Sequence, residues 1–583
     1  MSRLRALVLA LACALATLTG CVDVPTSGPP QRIDGPAPPC QNCVNVEVEP
    51  PSFGDEPKEV VQGFLRATSI YQPNYSVAKK FLTKVAVEKW SPEDGAQIYA
   101  GSPVAVGQNR VRLEGRLVGS LSPDRSYTAQ DKPLSWDFGL VKEDGEWRIS
   151  RPPAGLMIAD FVFPRFYTSY NIYFLGNGAT LVPDPIYLPN LPNQANVAAV
   201  LMKALLSGPS RWLQPAVTSA IPSDTALSVD SVTFENGVAK VPLAPDVLTL
   251  NDRQRSLLAA QVVYTLDQAA GVERVLFQVN QKPFRVPQSD EDSLEVPVER
   301  IAPDVDPVPF VAGDQLYAVR KRAVQVLDLS ADSPQPRALG NPLGRGKYGV
   351  DSLAVSVANT DIAAVTDGRT VLRVGSTTTA DDVTTRLDGV TNLLRPQYSR
   401  YGELWAVGDS GGQQRMWVFN GDKPTEVAAS TLAGGRITAF KISPDGARMA
   451  LVRSVGARSE LGLARIIRGE QITVDGWRPL NLSRVGSPAI SVLRDVAWLD
   501  ATDLLVLGGP TTKAPMLPYR LSQDASVVTA PSEPNITDVV EVAVLLGARQ
   551  TSILVGRTGQ TYKDDGTQWA TFLGGCSTVA FPD

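Results

Sequence analysis

The spacing of apolar positions divides the chain into three kinds of stretch. Between residues 56 and 160 it opens helical. In PKEVVQGFLRAT, Val60, Val61, Phe64 and Leu65 share one helix face, and a second helical stretch surrounds residues 78–82. The pattern then turns to strands, with Val111, Leu113 and Leu117-Val118 in RVRLEGRLVGSL and an apolar run over residues 136–141. Glu143-Asp144-Gly145-Glu146, followed by Trp147-Arg148-Ile149, predicts a hairpin, because Asp-Gly suits a two-residue turn. Between residues 161 and 300, Phe174-Leu175 and Leu181-Val182 flank a Gly-Asn-Gly turn at 176–178. Val197, Val200, Leu201, Ala204 and Leu205 repeat at helical spacing up to Gly208-Pro209. Two strands around Glu235-Asn236-Gly237 follow. A second helix is expected to start at Asn251 as N-cap, with Gln254 three residues on, and to stop at Gly271. Val275, Phe277 and Val279 alternate as a last strand.

From residue 305 to 583 one pattern recurs: an apolar strand, a polar turn and a second apolar strand. It is seen in LAVSVANTDIAAV (353–365), YSRYGELWAV (398–407), FKISPDGARMALV (440–452), VAWLDATDLLVL (496–507) and VAVLLGARQTSILVG (542–556). A strand repeat of roughly 40–50 residues predicts a β-propeller. The partial unit at 310–327 makes the expectation five to six blades. The alternative is a β-sandwich with coincidental hairpins. The tightest turn is Ser443-Pro444-Asp445-Gly446.

The N-terminus is of another kind. Arg3 and Arg5 precede the apolar run ALVLALACALATL at 6–18. That run is too short for a bilayer span, which needs about 20 residues, and has the length of a signal-peptide core. Leu18-Thr19-Gly20-Cys21 resembles the lipobox of bacterial lipoproteins. The resemblance implies cleavage between Gly20 and Cys21 and a lipid (diacylglyceryl, with palmitate) on Cys21. The chain would then sit on the outer face of the cell membrane. Pro25, Pro29, Pro30, Pro36, Pro38, Pro39, Pro50 and Pro51 make residues 22–51 an extended tether, able to reach up to ~90 Å. Within it, Cys40 and Cys43 could close a small disulfide loop outside the cytoplasm. Their flanks lack the helix start of a redox pair, and no further His or Cys stands nearby to complete a zinc site. Cys576 is expected to be buried.

Composition narrows function. There is no histidine among 583 residues, which removes the usual base of Ser and Cys hydrolases and the commonest ligand of catalytic zinc. Carboxylate-only chemistry survives, and Asp361, Asp367, Asp381 and Asp382 are available for it. A hydrolase would need two carboxyls about 5–10 Å apart in a cleft. A net charge of −5 without a basic run points away from nucleic acid. No P-loop, GxGxxG or EF-hand pattern is present, so no catalytic residue, metal or cofactor site is assigned.

The expected organisation is a leader at 1–20, a lipidated tether at 21–55, an N-terminal α+β domain at 56–160, an α/β domain at 161–300 and an all-β propeller at 305–583. Helices followed by an antiparallel sheet ending in Trp147-Arg148-Ile149 resemble an NTF2-like cone, filled by core as the default. Leu181-Val182-Pro183, Leu205-Leu206-Ser207-Gly208-Pro209, Ile221-Pro222 and the helix carrying Gln261 resemble the GerMN domain, an interaction module. Together with the lipobox, the tether and Cys21-Val22-Asp23-Val24-Pro25-Thr26-Ser27-Gly28-Pro29, the whole chain resembles the actinobacterial LpqB lipoprotein family. That resemblance implies contact with the extracellular domain of an MtrB-like sensor histidine kinase, tuning of MtrA phosphorylation, and effects on cell division and cell-wall homeostasis. The competing functions are a cell-wall glycan-binding or glycan-cleaving lipoprotein and a structural scaffold.

Overall fold

The computed structural model describes residues 48–583, apart from 192–193, 224, 226, 228–231, 301–303, 310, 312–313, 332–333, 430–432, 483–489, 532–535, 537, 548–549 and 567. The leader, most of the tether, and with them Gly20, Cys21, Cys40 and Cys43, lie outside the described residues. Among the described residues no helix is long and apolar enough to cross a membrane.

Helix α1 (Pro57–Ser69) starts where Glu59 reaches back to the Glu56 N–H at 2.9 Å. Its predicted apolar face is inside, with Val60, Val61 and Phe64 fully buried. The stretch around 78–82 resolves into two short helices, Ser76–Lys79 and Lys84–Lys89. Strands β1 (Ala96–Gly107), β2 (Arg110–Leu121) and β3 (Tyr127–Asp137) form an antiparallel sheet. The helices and sheet enclose a core in which Phe64 meets Trp90 and Phe138 edge-on at 5.7 and 6.1 Å. The run 136–141 is not one strand. β3 ends at Asp137, the chain turns through Gly139 at φ +45°, and β4 (Leu140–Glu143) pairs with β5 (Glu146–Ile149) as the predicted hairpin. The sheet is completed by β6 (Leu156–Ala159), parallel to β1.

The second unit opens with the hairpin β7 (Tyr167–Leu175) and β8 (Leu181–Pro189). Helix α2 (Gln194–Leu206) follows, then β9 (Thr233–Glu235) and β10 (Val238–Leu243), then helix α3 (Asp252–Leu266) and β11 (Arg274–Val279). β10 and β11 run parallel, the crossover being α3. The Asn251/Gln254 capping box is formed, each bond at 3.0 Å. Helix α3 stops at Leu266, earlier than the predicted Gly271. Gln268 instead turns its side-chain amide onto both backbone groups of Asn171 in β7, at 2.7 Å each. Gln261 is fully buried and clamps the unit. It accepts from the Ala220 N–H at 2.5 Å and donates to the Tyr173 carbonyl at 3.0 Å.

Among the described residues, six four-stranded sheets make up the rest. Their innermost strands are Cys576–Ala580 (blade 1), Val350–Val355 (blade 2), Gln397–Tyr398 (blade 3), Arg436–Ile442 (blade 4), Val492–Trp498 (blade 5) and Val539–Leu545 (blade 6). Each innermost strand abuts the next, and that of blade 6 abuts that of blade 1, so the ring is a six-bladed propeller and not a sandwich. Blade 1 takes its innermost strand from the far end of the chain, paired antiparallel with Gln315–Arg320. This is the strand that carries Cys576.

Candidate functional site

Residues singled out from sequence do not form a catalytic pair. Asp361 and Asp367 stand at opposite ends of the second strand of blade 2 (Asp361–Thr366), ~20 Å apart at the usual strand rise. Both are exposed, as are Asp381 and Asp382. Asp361 accepts from the Thr360 hydroxyl at 2.7 Å, Asp367 from Arg373 at 2.9 Å and Asp381 from the Thr379 hydroxyl at 2.5 Å. Cys576 is buried and free, and burial pushes its thiol up to about 11, so near neutral pH it is a packed thiol and not a thiolate. Among the described residues no three His, Cys, Asp or Glu side chains are arranged to hold a metal ion.

Two carboxylates do meet in the central channel, and no sequence signal marked them. Asp495 and Glu541 sit on the innermost strands of blades 5 and 6. Arg395, just before blade 3, spans both at 2.9 and 3.2 Å. The Glu541 carboxylate also accepts from the Thr578 hydroxyl at 2.6 Å and the Val579 N–H at 3.1 Å. Lys441 pairs with Asp583, whose N–H donates to the Val355 carbonyl at 3.2 Å. Burial raises the Glu541 pKa and lowers that of Lys441, whereas Asp495 and Glu541 hold the buried Arg395 charged. About 10 Å³ of space remains, too little for a sugar ring.

The turns between the first and second strands of blades 3 to 5 meet the β7–β8 hairpin. Ser443-Pro444-Asp445-Gly446, the tight turn visible in sequence, lies at the centre. Its Gly446 has φ +77°, and a Cβ there would sit 2.6 Å from the Tyr401 ring, so only glycine meets both demands. Tyr401 donates to the Asn177 carbonyl at 2.8 Å, under the Arg468 guanidinium at 4.6 Å. Arg468 holds Glu403 through Nη2 and Nε, at 2.7 and 2.9 Å. Arg448 is wholly buried. It pairs with Asp445 and Gln523, donates to the carbonyls of Ala501 (2.9 Å) and Pro183 (3.5 Å), and faces the Trp498 ring at 5.2 Å. Trp212 donates to the Gly476 carbonyl at 2.6 Å.

Tyr187, on β8, touches all three folded units. Its ring lies 5.7 Å from Tyr127 and 5.2 Å from Phe163, and its hydroxyl donates to Asp524 of blade 5 at 2.8 Å. Arg478 of blade 4 caps the backbone of β3 through the Tyr127 carbonyl at 2.6 Å. The units are therefore keyed together by side chains, and the described residues from 48 on form one compact body.

The family models agree with this architecture. The family model for the LpqB lipoprotein N-terminal domain matches residues 50–164, that for sporulation and spore germination matches 171–285, and that for the LpqB β-propeller domain matches 327–582. Lipoprotein LpqB of Cutibacterium acnes is 30% identical, covering 98% of each chain. Lipoprotein LpqB of Thermobifida fusca is 26% identical over 85% of this chain and 86% of its own. Among solved structures, a chain of the nidogen/laminin complex overlays 46% of this chain and 97% of its own, with a TM-score of 0.35 and 9% identity. With end-to-end similarity to curated relatives and family matches to the N-terminal unit, the middle unit and the propeller in turn, the chain belongs to the LpqB lipoprotein family.

Proposed function

We propose that the chain is a lipoprotein anchored through Cys21 on the extracytoplasmic face of the membrane. There it regulates an MtrB-like sensor kinase by protein–protein contact, with effects on cell division and cell-wall homeostasis. The observation that carries this reading is the filled channel. The carboxylate pair of the central channel, Asp495 and Glu541, is locked onto Arg395 with no room for substrate, while three keyed units present a large continuous outer surface. A tether raises the effective concentration of that surface near neighbouring ectodomains. Turnover is no part of the proposed role.

Binding through such a surface concentrates in a few aromatic and Arg anchors, each costing about 2 kcal/mol or more on truncation. Single acidic substitutions then change mainly association rate and salt dependence. The direct test is to titrate the folded part, residues 48–583, against the purified ectodomain of the cognate kinase. Saturable one-to-one binding, weakened by single aromatic substitutions, is expected. No binding to any sensor-kinase ectodomain of the same cell would remove the reading.

The anchor has its own test. Cys21→Ala is expected to accumulate as an unprocessed, unacylated precursor. Mass spectrometry of the membrane-extracted wild type should find acyl chains on Cys21, and their absence would refute the anchor.

A further inference from the structure

Blades 2, 3 and 4 carry an apolar residue at one register position of their third strands. These are Val374 opposite Ala363, Val418 opposite Trp405 and Leu463 opposite Ala450. At the same position blade 5 has Arg520, opposite Leu505, and blade 6 has Lys563, opposite Ile553. Two adjacent blades thus replace a packing residue with a cation. Neither cation forms a salt bridge among the described residues, although most arginines on the third strands of other blades do, as in Arg373–Asp367, Arg415–Glu426 and Arg465–Asp475. Lys563 stands over the Phe572 ring at 5.9 Å and Arg520 acts electrostatically on Asp503, so each cation lines a recess without being closed into an ion pair, a departure from the repeat that points to a site.

The space around these cations is shaped. Arg520 is shared by two recesses, of about 330 and 640 Å³. The first lies between the β7–β8 hairpin and blade 5, and offers Asn171, Thr502 and Thr529. The second lies between blades 5 and 6, and offers Gln550, Thr551 and the half-buried ring of Phe572. Amide and hydroxyl groups that can donate and accept suit a polyhydroxylated ligand, and an aromatic ring gives a sugar face something to pack on. Asp503 and Asp564 also line the recesses. Acids beside cations disfavour a polyanion such as nucleic acid and favour a ligand whose negative charges are few and spaced. Burial, with Asp500 nearby, pushes Asp503 up to about 6, so part of it can donate a proton to a ligand oxygen near neutral pH.

We infer that this double recess binds an oligosaccharide carrying a carboxylate, with Arg520 as the fork that receives the carboxylate and Lys563 as the second cation. The inference does not rest on the kinase contact, and either can hold without the other.

Calorimetry on the acylated full-length protein in detergent micelles tests it. The probes are the disaccharide of N-acetylglucosamine and N-acetylmuramic acid, which carries a carboxylate, chitobiose, which does not, and the charge-matched peptide acetyl-Ala-Glu-Ala-amide. Saturable binding of the first is expected, with chitobiose at least 10-fold weaker. Arg520→Ala and Lys563→Ala, both at positions outside any ion pair, are each expected to weaken binding at least 10-fold with the melting temperature unchanged. No saturable sugar binding, equal binding by Arg520→Ala, or tighter binding of the peptide would each overturn the inference.

Discussion

Replacing Arg448 by leucine is expected to lower stability by about 3–5 kcal/mol, read as a shift of the urea unfolding midpoint at constant slope. Arg448 and Asp445 are both fully buried. Without the guanidinium, the Asp445 carboxylate keeps only the Ser443 hydroxyl at 2.7 Å and the Ala447 N–H at 2.8 Å, and its charge is uncompensated. The carbonyls of Ala501 and Pro183 lose their donor as well. Removing both charges is milder than removing one, so Asp445→Asn/Arg448→Leu should recover a good part of the loss. A single variant as stable as the wild type would mean that the seam between hairpin and propeller is not held here.

Arg395→Met is expected to have an effect of similar size, about 3–5 kcal/mol at pH 7.5, and to depend on pH. The substitution leaves Asp495 and Glu541 facing each other in the channel. Burial already raises the Glu541 pKa, and without the cation it rises further. A carboxyl whose folded pKa exceeds its unfolded value favours the folded state at low pH, and that contribution is lost as pH rises through the folded value. The gap between Arg395→Met and wild type should therefore narrow on acidification from pH 7.5 to 5. Paired urea titrations at the two pH values measure it, and a gap that does not narrow would show that Glu541 stays ionised.

Local physics explains which features were legible in the sequence. The Asn251/Gln254 capping box, the Asp144-Gly145 hairpin and the buried row of α1 are set by residues three or four apart, and all three stand as expected. The first two strands of blades 2 to 6 were visible because each is an apolar run set off by a polar turn. The closing strand of blade 1 was not. Cys576–Ala580 pairs with residues some 260 positions earlier, and nothing local marks the partner. β3 escaped notice because it is an edge strand, polar on its open side and carrying Pro133. The channel cluster was hidden for the same reason as the closing strand: Arg395 meets Asp495 across 100 residues. The acids that sequence did single out, Asp361, Asp367, Asp381 and Asp382, are ordinary exposed residues at strand ends and in loops. Asp495 and Glu541 differ from them only in where the ring places them. Tyr187, the residue at which the three folded units meet, sits in an unremarkable apolar strand and can be recognised only from its neighbours.

The central claim is that the protein acts by contact and not by turnover. The most direct measurement is phosphotransfer by the cognate sensor kinase in proteoliposomes, with the acylated protein anchored on the ectodomain side. The account predicts a change in kinase autophosphorylation or phosphotransfer that saturates with protein, survives each single acid-to-alanine substitution in 305–583 that leaves the fold intact, and is lost with aromatic or Arg anchors of the contact surface. A kinase indifferent to the protein, together with release of sugar fragments from purified cell wall that one Asp or Glu substitution abolishes, would contradict it.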